Sequence, residues 1–254
     1  MALLSGRATA DDDTSSDLAK KLSNPVSNLI SLPLQFNYDC CYGAEDSGRV
    51  TLNVQPVIPF RIGGDWNLIV RTILPVIDQG ELAPGQGQHF GFGDTVQSFF
   101  FSPNPEPGGI IWAVGPVFLW PTATDPALGS GKWGAGPTAL ILKQQSGWTY
   151  GLLANHIWSY GGQSARADIS NTSIQPFVGF TWPDTTTLTL NSETTYAWEN
   201  DQWTVPLNLT VSHIFALGSQ RTSFQLGARY YAAAPDDTAR WGLRFTVTFL
   251  FPEH

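Results

Sequence analysis

The sequence predicts an all-β fold: a transmembrane, antiparallel, up-and-down β-barrel of about 12 strands behind a short N-terminal helical segment. Three regularities carry the prediction. Segments roughly ten residues long alternate apolar and polar side chains, the connections between them alternate long and short, and tryptophans gather at segment ends.

The alternation begins near Leu32 and is cleanest in the tenth and last segments. Trp203, Val205, Leu207, Leu209 and Val211 interleave with Thr204, Pro206, Asn208, Thr210 and Ser212. Likewise, Leu243, Phe245, Val247, Phe249 and Phe251 interleave with Gly242, Arg244, Thr246, Thr248 and Leu250. A period of two puts each set on its own face of a strand. Strands are expected over Leu34–Asp39, Arg49–Phe60, Asp65–Val76, Thr95–Phe101, Ile110–Pro121, Trp133–Lys143, Trp148–Trp158, Ser173–Trp182, Thr187–Trp198, Trp203–Phe215, Thr222–Tyr231 and Trp241–Phe251. In the fourth to sixth, Phe99-Phe100-Phe101 and Ile110-Ile111-Trp112 blur the pattern.

The odd-numbered connections, such as Asp39–Gly48, Ile77–Asp94 and Thr122–Lys132, are mostly long, and the even ones, such as Gln144–Gly147 and Leu217–Arg221, are short. Long extracellular loops over short periplasmic turns, with an even strand number, leave both termini periplasmic. Glu199–Gln202 is short on the long side. All 10 tryptophans fall near strand ends, with Trp66, Trp112, Trp148 and Trp182 toward the turns. Trp120, Trp133, Trp158, Trp198, Trp203 and Trp241 lie toward the loops. Indoles belong at membrane interfaces, whereas a soluble sandwich would place some of them mid-strand in its core.

Composition is compatible with this reading. Charged residues make up 13% and aromatic residues another 13%, and the mean hydropathy of -0.08 suits strands with one lipid face and one polar face. A spanning helix would need roughly 20 consecutive apolar residues, and no such run occurs. The domain reading is a leader or signal-peptide remnant over 1–16, a helical segment over 17–31 and the barrel over 32–254. Ala8-Thr9-Ala10 before three aspartates resembles a signal-peptidase site. Ser16 is placed to cap a first helical turn, and Asn24-Pro25 to open a second beneath or inside the periplasmic mouth.

At this level of detail the chain resembles a known family, the small outer-membrane proteins of the phenol-degradation meta-pathway, also labelled simply transporter or neuromedin U. The resemblance runs from Asp17 onward. It is carried by Leu22-Ser23-Asn24-Pro25-Val26, Gln55-Pro56-Val57-Ile58-Pro59, Arg71-Thr72-Ile73-Leu74-Pro75-Val76, Gly93-Asp94, Gly115-Pro116, Pro121-Thr122-Ala123-Thr124, Ala154-Asn155-His156-Ile157-Trp158 and the ending Trp241 to Pro252. It implies a barrel in the bacterial cell outer membrane and passage of small, aromatic or apolar compounds, with no defined substrate.

Five charged residues are expected on the lumen face: Arg49, Arg71, Glu193, Arg229 and Arg244, among Gln35, Asn37, Asn53, Gln55, Gln175, Asn191 and Gln225. Such charges either pair and fill a barrel or line a pore and set its ion preference. Glu193 is placed to pair with Arg229 or Arg244. The outward set Phe245, Val247, Phe249 and Phe251 resembles the terminal signal by which barrel-assembly machinery recognises its clients.

Other chemistry is weaker. His156 and Ser159, three apart, would point to opposite faces, unlike the His-x-Ser of outer-membrane phospholipase A. His89 and Asp94 share a loop without a fixed geometry. The stretch Gly85 to Gly93 lacks the lysine and helix of a phosphate loop, and reads as a mobile extracellular loop that would constrict the channel if it folded inward. Cys40 and Cys41 are adjacent; the ring they could close is strained, so they read as free or oxidised thiols with neither metal nor staple. No enzyme activity, cofactor or metal is expected. A net charge of -8 disfavours nucleic acid, and loop acids could hold divalent ions against lipopolysaccharide. The functional expectation is a passive pore or facilitator; the alternatives are a closed structural or adhesive barrel working through its loops and, more remotely, an outer-membrane hydrolase.

Overall fold

The computed structural model describes residues 10–43, 46–81, 85, 87–106, 108–236 and 238–251. One helix, α1 (Ala10–Leu22), precedes the strands. The sheet consists of β1 (Ile30–Tyr42), β2 (Ser47–Val54 resumed at Val57–Arg61), β3 (Trp66–Gln79), β4 (His89–Phe92 resumed at Thr95–Pro103), β5 (Ile110–Trp120) and β6 (Lys132–Gln145). It continues through β7 (Trp148–Gly162), β8 (Ser170–Thr181), β9 (Thr187–Ser192 resumed at Thr194–Ala197), β10 (Gln202–Leu217), β11 (Gln220–Ala233) and β12 (Trp241–Phe251). Each strand pairs antiparallel with its chain neighbours, and β12 pairs with β1 from Ile30↔Phe251 to Cys40↔Trp241. The sheet is therefore a closed twelve-stranded barrel, an arrangement that satisfies the backbone without leaving an edge in lipid.

Register assigns every side chain to a face, because paired residues point the same way. All ten tryptophans fall on the outer face. They form cross-strand pairs such as Trp66 with Trp112 and Trp120 with Trp133, at centroid distances of 5.8 and 5.6 Å. Between these two belts lie exposed Ile141, Leu152, Leu188, Leu190, Leu209, Leu226 and Leu243. So continuous an apolar exterior exceeds the patches that soluble monomers expose. No helix among the described residues is long and apolar enough to cross a membrane.

The short turns follow local chemistry. Ser146 and Gly147, both at positive φ (50° and 82°), give the two-residue hairpin between β6 and β7, a geometry matched to strand twist.

Several expectations need correction. Strand β1 starts at Ile30, inside the segment read as helical, and the first connection shrinks to 43–46. The helix begins at Ala10, within the stretch read as leader, so Ser16 lies inside α1 and does not cap it. Asn24 opens a single turn in place of a second helix, its Oδ1 accepting from Val26 N at 3.1 Å. His89–Phe92, read as loop because of its glycines, is a strand paired with β3. Of the two states expected for Cys40 and Cys41, free or oxidised, the oxidised one is found: they are joined to each other, with Cys41 at φ 75°. The Ala8-Thr9 part of the cleavage-site reading, and residues 252–254 of the ending, lie outside the described residues.

Candidate functional site

The lumen has two unlike walls. From β3 to β7 the inward residues are predominantly apolar: Ile69, Ile77, Phe100, Ala113, Val117, Leu140, Leu142, Leu153 and Ile157 are all buried. From β8 round through β12 to β2 they are polar, including Gln175, Thr189, Asn191, Asn208, Thr210, Gln225, Thr246, Gln35, Asn37 and Asn53. The runs Phe99-Phe100-Phe101 and Ile110-Ile111-Trp112 are thus apolar on both faces, which is why the alternation is blurred there.

A charge network spans the polar wall. Glu193, at the break in β9, accepts from Arg244 Nη1 at 2.8 Å through one oxygen. Its other oxygen accepts from Arg244 Nη2 and Arg229 Nη2, each at 2.9 Å. Arg229 reaches on to Asn208 Oδ1 (2.8 Å) and to Asp39 Oδ1 (3.3 Å), and the Tyr231 hydroxyl donates to Asp39 at 2.9 Å. Asn37 Oδ1 accepts from Arg244 Nε at 2.8 Å. Buried ion pairs hold only when remaining donors and acceptors are met by such neighbours. Glu193 therefore takes both of the partners considered for it.

The other two expected arginines are differently placed. Arg49, paired by register with Asp39 and Gln79, has a buried Nε with no hydrogen-bond partner. Arg71 stands where the polar wall of β2 meets the apolar wall, and its Nη2 donates to Gln55 Oε1 at 3.0 Å. Asp39, Asn208 and Tyr231 were missed. Extending the alternation of Gln35 and Asn37 by two residues would have reached Asp39; Asn208 was assigned to the polar face but given no role.

Two inserts narrow the lumen. At the periplasmic end Leu18, Ala19 and Leu22 of α1, with Leu29, pack on inward Ile214 and Leu250, while Val26 joins the cluster around Ile69 and Leu153. Gln144 Nε2 donates to Lys20 O at 2.9 Å, and Arg221 Nη1 to Ser15 Oγ at 3.2 Å. The segment thus plugs the mouth from inside. At the extracellular end the inward insert is loop 121–131, whereas the glycine-rich stretch supplies the surface it lies on. A Cβ at Gly91 would run into Thr124, and one at Gly93 would meet Leu128 O at 3.3 Å. Asp94 latches this loop, accepting from Ser130 N and Oγ, both at 2.6 Å, and from Ala123 N at 3.2 Å. Arg166 donates to Pro126 and Gly129 carbonyls. His89 Nδ1 lies 2.9 Å from Asp125 Oδ2. Hydrogen bonds from the Ala127 amide and then from His89 hold the Asp125 carboxyl below the usual carboxylate range. Between the plug and the charge network lies a cavity of about 270 Å³.

Elsewhere, His156 faces outward, its Nδ1 2.7 Å from Thr172 Oγ1, which also accepts from Trp198 Nε1 at 2.8 Å. Ser159 faces inward and its Oγ donates to Asp168. His89 and Asp94 bind different parts of loop 121–131 and do not meet. Phe245, Val247, Phe249 and Phe251 line the outer face of β12. Among the described residues no three His, Cys, Asp or Glu are grouped to hold a metal.

Comparison with known proteins matches the fold and not the sequence. The barrel is similar to an outer membrane channel from Pseudomonas putida F1, with a TM-score of 0.69 at 14% identity over 88% of this chain and 96% of that one. It is also similar to outer membrane phospholipase A from Escherichia coli, with a TM-score of 0.50 at 10% identity over 87% of this chain and 90% of that one. No protein-family model matches, and no curated protein sequence matches. By fold, then, the chain is a closed β-barrel of the kind found in bacterial outer-membrane proteins.

Proposed function

We propose that the protein is a passive pore or facilitator for small solutes, without catalysis, whose polar wall carries the solute past two inserts. The observation that carries this reading is charge imbalance around the network inside a closed barrel: among the described residues there, Arg49, Arg71, Arg229 and Arg244 stand with the carboxylates of Asp39 and Glu193. Fixed positive charge in a low-dielectric tube concentrates anions. The phenol-degradation resemblance, with its aromatic or apolar solutes, suits the opposing apolar wall. Outer-membrane lipid and lipopolysaccharide are the proposed surroundings of the tryptophan belts, and barrel-assembly machinery the proposed reader of β12.

Planar-bilayer recording of the purified protein tests the proposal. Resolvable conductance with anion preference is expected, and Arg71→Ala or Arg244→Ala should move the reversal potential toward cations. The two inserts and the paired network favour a second reading, a closed barrel that works through its loops. Absence of conductance together with absence of an uptake defect on deletion would select it. Hydrolysis has less support, since His156 Nε2 and Ser170 Oγ stand 3.5 Å apart, at the outer limit of hydrogen bonding.

A further inference from the structure

We infer that the cavity between the plug and Arg71 is a binding site for a small amphipathic monocarboxylate, with the carboxylate on Arg71 and the apolar body against Val57, Leu153 and Phe177. The inference rests on the pore reading only for how the ligand arrives; the site stands on its own geometry.

Arg71 lines this space with Arg244, and it differs from both arginines of the charge network. Arg244 has its carboxylate at 2.8 Å, and Arg229 has two, at 2.9 and 3.3 Å. Arg71 has Gln55 Oε1 as its one side-chain hydrogen-bond acceptor among the described residues, and no carboxylate within 4.0 Å. A guanidinium carries five N–H donors in a planar fork that matches a carboxylate. Most of that fork is left to whatever fills the cavity, and an anion satisfies it better than water does.

The opposite side of the same space is apolar. Val26, Leu153 and Phe177 belong to one packed cluster, in which Val26 and Leu153 are buried and Phe177 packs against them. Of these, Leu153 and Phe177 line the cavity with Arg71, Gln55 and Gln175, as does Val57, which packs against the same cluster. A cation at one end and a hydrocarbon floor at the other select a molecule with a charged head and a compact apolar body. Inorganic phosphate has the head without the body, and a neutral alcohol the reverse. Glu193 also borders the cavity, but two guanidiniums already neutralise it. Because Leu22 and Leu29, which also line the cavity, belong to the plug, the cavity is complete only while the plug is seated.

Titration calorimetry of hexanoate against the full chain in detergent micelles tests the site, with 1-hexanol and inorganic phosphate as controls. Saturable binding of about one hexanoate is expected, with neither control competing. Arg71→Gln should weaken it roughly tenfold or more, and Leu153→Ser several-fold. Arg71→Lys, which keeps the charge and loses the fork, should fall between wild type and Arg71→Gln, and serves if the glutamine variant does not fold. Equal affinity in wild type and folded Arg71 variants, or equal binding of hexanol, would overturn the proposal. Conductance without saturable hexanoate binding removes the site and leaves the pore; binding without conductance removes the pore and leaves the site.

Discussion

The two halves of the lumen wall are built from the same strand geometry and opposite chemistry. Strands β8 to β2 turn polar side chains inward and apolar ones outward, so each face meets a different medium. Strands β3 to β7 carry most of the buried apolar side chains on their inner face, interspersed with Asn67, Ser98, Ser102 and Thr138, and Val26 packs against that face. The first half is shaped by hydrogen bonding and charge, the second by packing. A barrel wall therefore does not dictate the polarity of its lumen; whatever fills the lumen does.

That contrast can be broken most forcefully on the packed side. A Cβ on Gly136 would collide with the His156 carbonyl, a backbone atom that cannot swing aside. Gly136→Ala is therefore expected to abolish the heat-modifiable folded band on gel electrophoresis, whereas Gly161→Ala, where a Cβ meets open space, should leave it intact. Next in size, Leu18→Asp combined with Leu29→Asp puts charge where α1 and its extension pack on Ile214 and Leu250. The expected outcome is a folded barrel whose single-channel conductance rises several-fold; unchanged conductance would show that the plug does not limit flow.

On the polar side, Glu193→Gln leaves Arg229 and Arg244 facing one another with a neutral partner. Removing one member of such a buried group costs about 3 kcal/mol, so the urea midpoint should fall while anion preference rises. A fall in anion preference would contradict the assignment of the lumen charge. The smallest effect concerns loop 121–131. Asp125 has a depressed pKa, so its contribution to holding the loop is complete above the ordinary carboxylate value near ~4 and disappears as pH falls through its lowered one. Amide exchange in this loop should quicken selectively in acid, and Asp125→Asn should remove that pH dependence.

How far the fold could be read from sequence follows the same division. Strand β12 was placed residue for residue, because Leu243 to Phe249 alternate without interruption. Strand β4 was placed only in part, because Phe99, Phe100 and Phe101 carry no period, and Gly91 and Gly93 imitate a loop. Those glycines instead make room for Thr124 and Leu128, residues more than thirty positions away. For the candidate site, the alternation put Arg49, Arg71, Glu193, Arg229 and Arg244 on one face, yet it could not say which would pair. Pairing depends on distances across the lumen, and the break at Glu193 lets one carboxylate reach two strands. The latch made by Asp94 and Arg166 left no local trace, since each residue serves a loop distant in sequence.

Closure of the sheet between Ile30 and Phe251 has a consequence for how the molecule is made. The first and last strands are partners, so the widest separation in the chain must be bridged before any strand is spared an open flank. A nascent polypeptide lacking its final hairpin cannot settle into a smaller version of itself. It carries two unsatisfied ladders, and must be sheltered until the final residues arrive.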